Sequence, residues 1–145
     1  MTQSKNLSVE KHGAGDAVVD GLLRGIVAGL AMAAVLVIIE LLQGQSAGTT
    51  LGRFGLNGPA TPVAGLLGHL AVAAVYGGVW GLVWLAVRRW LPLPAWLAGI
   101  IYSLVLFALG QLLLRVTGSP LLEMSTLSLV LAHSVYGLVL GLLTR

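Results

Sequence analysis

Four apolar runs, each near or above the length a helix needs to cross a hydrocarbon core, dominate this sequence and leave little room for a water-soluble fold. They cover roughly 18–42, 62–87, 95–114 and 121–143. About 20 residues at a rise of 1.5 Å span the ~30 Å of a bilayer interior. Only 9% of the residues are charged, against about a quarter in an ordinary soluble domain, so a water-soluble core could not hide this much apolar surface. The runs predict an all-α, polytopic membrane protein with four transmembrane helices in an up-down bundle over 17–145, preceded by a polar cytoplasmic tail at 1–16 that includes His12. The first run follows Lys5 and Lys11 and precedes the small residues Ser46, Ala47 and Gly48, as a secretory leader would. It exceeds the ~7–15 residues of a leader's apolar region and is expected to be retained as a membrane anchor.

A formal charge of +3 and a pI near 9.8 arise from scarce acids and not from a basic patch. The cations stand singly or in pairs at the ends of the apolar runs, so no nucleic-acid partner is expected and the lipid bilayer is the primary one. The absence of cysteine excludes disulfides, thiolate zinc sites, cysteine-ligated iron-sulfur clusters and c-type haem attachment.

The prolines fall where helices start or stop. Pro59, Pro92 and Pro94 lie between the runs, and Thr61-Pro62 and Ser119-Pro120 each read as a hydroxyl cap followed by proline at the first helical position. Helices two and four are thus expected to open with the same device. Lys5, Lys11, Arg24, Arg88, Arg89 and Arg145 collect at one side of the predicted membrane, and Arg53 and Arg115 lie at the other. The positive-inside bias then puts both termini in the cytoplasm of a cell with a bacterial-type inner membrane. Trp84, Trp90 and Trp96 surround the Arg88-Arg89 turn as an interfacial belt would. The glycine-rich connection at 44–60 is expected to be a loop with Phe54 dipping into the interface. It has neither the Lys-Ser/Thr pair of a P-loop nor a preceding strand, which argues against phosphate binding.

Tyr76, Gly77, Val79, Gly81 and Leu82 recur as Tyr136, Gly137, Val139, Gly141 and Leu142 at a spacing of 60 residues. That match suggests a duplicated helical hairpin whose two copies enter the membrane with the same orientation. Gly77 and Gly81, Gly137 and Gly141, and Gly21, Gly25 and Gly29 each repeat every four residues, so they line helix faces that allow close backbone approach. They are the candidate helix-packing residues, with helices two and four expected to use theirs within one bundle.

The run from Arg24 to Leu30 (RGIVAGL), the pair Gly68-His69, and Ala132-His133 with Tyr136, Gly137 and Gly141 resemble the small four-helix bacterial membrane proteins catalogued as domains of unknown function. The resemblance covers most of 20–145 and implies fold and location, without an activity.

Ionisable groups at membrane depth need a partner or a role. Asp20 and Arg24 stand four apart and can pair on the first turn, and Glu40, Glu123, Arg53 and Arg115 gather at the opposite rim, where cross-pairing is open to them. His69 and His133 are the deep titratable groups apart from tyrosines, and both sit on the small-residue ladders. An imidazole there can hydrogen-bond a neighbouring helix, with Tyr76, Tyr102, Ser103, Gln111, Ser125, Ser128, Ser134 and Tyr136 as candidate partners; it can bind a cofactor such as haem; or it can serve transport. Tyr76 and Tyr136 are expected in the polar interior. No Ser-His-acid set, H-E-x-x-H motif or paired carboxylates at workable depth supports catalysis, and no metal site is expected. The reading is a non-enzymatic inner-membrane protein, an accessory or assembly subunit or a small homo-oligomer. The alternatives are a b-type haem protein using His69 and His133, and a small transporter or channel.

Overall fold

The computed structural model describes residues 13–55 and 60–144. Lys5, Lys11, His12, Pro59 and Arg145 therefore lie outside the described residues. Within them the chain is all-helical: α1 (Ala14–Leu42), α2 (Ala47–Gly52), α3 (Pro62–Val87), α4 (Ala95–Thr117), a 3-10 turn (Pro120–Glu123) and α5 (Thr126–Leu142). Three of these, α1, α3 and α4, are long and apolar enough to cross a membrane, and α5 is a shorter apolar helix of 17 residues.

The helix ends differ from the sequence expectation in instructive ways. α1 starts at Ala14, inside the stretch expected as tail, because the Asp16 carboxylate turns back to accept the Gly13 N–H over 3.1 Å. That bond satisfies an end-of-helix amide, and the acid is favourable at the positive end of the helix dipole. The connection at 44–60 contains α2, which opens on Ser46 accepting from the Thr49 N–H at 3.0 Å. α3 begins as its Thr-Pro pair predicts, with Thr61 accepting from the Ala64 N–H. α4 runs three residues beyond the expected 114 and stops where Gly118 takes φ of 64°, a left-handed value that glycine adopts without penalty.

The fourth segment is not one helix from 121. Ser119-Pro120 caps only the 3-10 turn, Met124 then goes extended, and α5 starts at Thr126, five residues past the expected 121, with Ser125 accepting from the Ser128 N–H at 3.0 Å. Two caps compete here, and the one that lets Met124 reach the core wins, since Met124 is 4% exposed.

α1 packs along α3, α4 packs along α5, and the two pairs join through α1 and α5, while α3 and α4 scarcely touch. Both pairs close on glycine. A side chain at Gly21 would strike the Gly77 carbonyl and one at Gly77 the Gly21 carbonyl; Gly99 and Gly137 oppose each other in the same reciprocal way. Gly81 faces the Ala17 carbonyl and Gly141 the Ala95 carbonyl, and Gly25 lies against Ala73 and Gly77. A methyl at Gly29 would sit 2.6 Å from the Ala73 methyl. The Gly77/Gly81 and Gly137/Gly141 faces thus pack on α1 and α4, not on each other. The crossings run from the starts of α1 and α4 and the ends of α3 and α5 to the middle of α1 and α3, where Gly29 meets Ala73.

The core holds Ala28, Met32, Leu36, Trp80, Leu129, Ala132, Tyr136 and Leu140. Trp80 is buried; it donates its indole N–H to Thr144 Oγ1 at 2.9 Å and stacks on Trp84 with centroids 5.5 Å apart. Trp84 is therefore partly drawn inward, whereas Trp90 and Trp96 remain exposed at the turn.

Candidate functional site

Where α3 and α4 part, a cavity of about 240 Å³ opens between them, beginning at Ala73, where the glycine crossings of α1 and α3 end. Its back wall comes from α1 and α5, through Met32, Leu36, Leu129 and Tyr136, and its sides from α3 and α4, through His69, Val72, Tyr76, Phe107 and Gln111. The small residues Gly68, Ala73 and Gly110 keep it open. Nothing lies within 4 Å of where a side chain would begin at Gly68 or Gly110, in contrast to the glycines of the crossings. At the other end Tyr102 bridges the gap, donating to the Tyr76 carbonyl at 2.8 Å and lying 5.2 Å from the Trp80 ring, so the cleft is closed there.

Both deep histidines line this one cavity and both are half-buried. Their partners are backbone carbonyls, not the hydroxyl and amide side chains expected from the sequence. His69 Nε2 lies 3.1 Å from the Gly29 carbonyl oxygen on α1. His133 Nδ1 lies 2.8 Å from the Leu129 carbonyl oxygen, one turn back on its own helix. The candidate partners are engaged elsewhere: Ser103 and Ser134 bond their own helix at Ile100 and Val130, Ser125 and Ser128 bond each other, and Tyr136 donates to the Ala73 carbonyl at 2.8 Å. Each ring is also held by an aromatic. Phe54 stacks on His69 with centroids 4.6 Å apart, and Phe107 meets His133 edge-on at 5.3 Å.

Phe54 is the largest departure from expectation at the site. It is 5% exposed and helps cover the end of the cavity, rather than dipping into an interface. Tyr76 corrects in the other direction: it is 37% exposed at the mouth of the cleft, whereas Tyr136 is interior.

Next to Phe54, Arg53 donates to Glu40 over 2.9 Å and approaches Glu123 at 3.5 Å. Glu40 is 2% exposed, one turn beyond the cavity-lining Leu36, and its Oε1 is sealed without a partner. Arg115 joins no ion pair among the described residues, and Asp20 pairs with Arg24 at 3.1 Å on the first turns of α1. The Arg53 network ties α1, the α2 end and the 3-10 turn together over the cavity. Its members were visible in the sequence, but their pairing requires the tertiary fold.

A bis-histidine haem does not fit these residues. The cavity of about 240 Å³ lies below the roughly 300–1,000 Å³ of pockets that take even drug-sized ligands, too little to enclose a porphyrin. Among the described residues no three His, Cys, Asp or Glu side chains gather as a metal site. What the arrangement can do is hold a small apolar body between α3 and α4 and offer it a few polar atoms.

No curated protein and no solved structure matches the chain. The profile of a family of unknown function covers residues 15–145, which includes every described helix except the first residue of α1. The chain belongs to that family of unknown function, DUF6789.

Proposed function

We propose that this protein is a non-catalytic, multi-pass protein of a bacterial-type inner membrane, an accessory component that holds a small lipid-soluble molecule in the cavity between α3 and α4. The observation that carries the reading is the cavity itself, apolar on its walls, with two histidines at its sides and an opening between two helices that scarcely touch. Such a site takes ligand from lipid through its flank, and its shape is that of a binding pocket with few polar groups.

The membrane arrangement we attach to it has four spans. α5 measures about 25 Å at 1.5 Å per residue, and the apolar 3-10 turn with Met124 lengthens that segment toward the far rim. A duplicated hairpin is supported by the equivalent crossings: Ala17, Gly21 and Gly25 meet Gly81 and Gly77 as Ala95, Gly99 and Ser103 meet Gly141 and Gly137. Cytoplasmic termini are supported by the cations, since Arg24, Arg88 and Arg89 lie toward the end of the bundle where α1 starts and α3 ends, against Arg53 and Arg115 toward the other.

The test is extraction of the protein into lipid nanodiscs followed by native mass spectrometry and lipid analysis. A small lipid-soluble species should co-purify in near-stoichiometric amount and be lost from Gly110→Phe, which fills the cavity. Equal retention by that variant counts against the site.

A further inference from the structure

The two histidines make the cavity one-sided in its hydrogen bonding. A carbonyl oxygen only accepts, so the ring nitrogen facing it carries the hydrogen: Nε2 at His69 toward Gly29, and Nδ1 at His133 toward Leu129. Among the described residues neither ring pairs with a carboxylate, and an uncompensated charge at membrane depth is costly, so both are neutral. A neutral imidazole whose one nitrogen donates has an acceptor at the other. His69 therefore presents Nδ1, and His133 presents Nε2, each as an acceptor without a partner among the described residues.

These two atoms are also reachable. Glu40 Oε1 is the sole side-chain nitrogen or oxygen among the described residues that is both sealed and unpartnered. The free nitrogens of His69 and His133 are therefore open, and the space their rings line is the cavity. Tyr76 and Gln111 can each donate or accept, so they set no preference of sign. The histidines do. They are opposite tautomers on different helices, each ring packed on an aromatic, Phe54 or Phe107, and both rings border the one cavity.

We infer that the cavity selects an amphiphile whose head donates hydrogen bonds, a hydroxyl-bearing ring or glycerol with an apolar tail, and rejects the same skeleton when its oxygens only accept. This rests on the binding function proposed above. An apolar cavity of roughly 150 Å³ takes a benzene ring, so about 240 Å³ accommodates one substituted ring or a glycerol head, with the tail leaving between α3 and α4. Two acceptors on two walls of one cavity suit a head with two hydroxyls, and a prenylated hydroquinone and a diacylglycerol are the two sources of that chemistry. The matching quinone has the same ring and tail but presents lone pairs to lone pairs. A site built around hydrogen bonds discriminates strongly against an analogue that leaves its polar groups unpaired.

The experiment uses the full chain in nanodiscs with three probes: a short-chain prenylated benzoquinol kept reduced, its quinone, and dioctanoylglycerol. Binding of the quinol or of the glycerol at least tenfold tighter than the quinone is expected, and whichever binds tighter identifies the source. His133→Leu, which removes one acceptor, should erase that preference. Since such a variant can also lose stability, the tautomers are read independently by 15N NMR of histidine-labelled protein carrying His12→Gln. One Nε2-protonated and one Nδ1-protonated ring are expected at neutral pH. Two rings of the same tautomer, or a quinone that binds as tightly as the quinol, overturns the inference and leaves the cavity as a binding site. Failure of all three probes to bind counts against the binding function beneath it.

Discussion

The phenol of Tyr136 on α5 donates to the Ala73 carbonyl on α3 over 2.8 Å, so one buried side chain stitches the α4/α5 pair to the α1/α3 pair beside the cavity. Tyr136→Phe keeps the ring and removes only this bond. In a membrane such bonds are worth about 0.6 kcal/mol on average and up to about 1.7, so we expect a loss in that range, read as a shifted midpoint of denaturation in mixed micelles. No shift at all would mean that the bond is replaced without cost.

The glycine crossings are expected to be much less tolerant. Gly81→Leu and Gly141→Leu drive a side chain into the Ala17 and Ala95 carbonyls, which belong to backbone and cannot swing away. Each should cost at least the roughly 1–3 kcal/mol of overpacking. Gly110→Ala is the control: its side chain enters open space and removes a helical glycine, a gain of up to about 1 kcal/mol. If both leucine variants denature like the wild type, the crossings are not what holds the pairs together.

Arg53 is expected to matter more than its loop position suggests. Arg53→Ala strands the buried Glu40 carboxylate, and breaking a buried pair from one side typically costs about 3–5 kcal/mol. Glu123 is two-thirds exposed, so Glu123→Ala should cost less than about 1 kcal/mol. The double variant Arg53→Leu with Glu40→Leu should recover most of the loss, because it removes both charges at once. Additive behaviour in that cycle would contradict the pairing.

Membrane orientation is tested by reporter fusions. With cations at 24, 88 and 89 on one side, fusions within 44–60 and at 115–119 should report outside, and fusions at both termini inside. A cytoplasmic signal from a fusion near Arg53 would reverse the orientation.

Much of the helical layout is legible in the sequence, because hydropathy and proline position report on each segment alone. Thr61-Pro62 opens α3 as read. Ser119-Pro120 looks identical, yet it opens only a 3-10 turn, because the decision rests on whether Met124 can reach a core that the local sequence does not contain. The glycine ladders identify faces, but not which face meets which: Gly77 finds Gly21, and Gly137 finds Gly99, which stands four residues from Ala95 and Ser103 and not from another glycine. The histidines are visible as deep polar groups. Their partners are not, since Gly29 and Leu129 contribute carbonyls and every residue has one. Phe54 stacking on His69 was hidden for a further reason: α2 is too short to announce itself by periodicity, and it is α2 that delivers the ring.

In the membrane arrangement proposed above, a cleft bridged by Tyr102 at one end and open as a cavity toward Arg53 at the other has an entrance on one side of the bilayer only. In that arrangement a molecule diffusing in the membrane would meet the gap between α3 and α4 from the leaflet that surrounds Arg53, and the Tyr102 bridge from the other. Occupancy then follows the concentration of ligand in that single leaflet and not its total in the membrane. A slow step of flip-flop, or a flippase acting elsewhere, would load or empty this site without any change in how much ligand the cell contains.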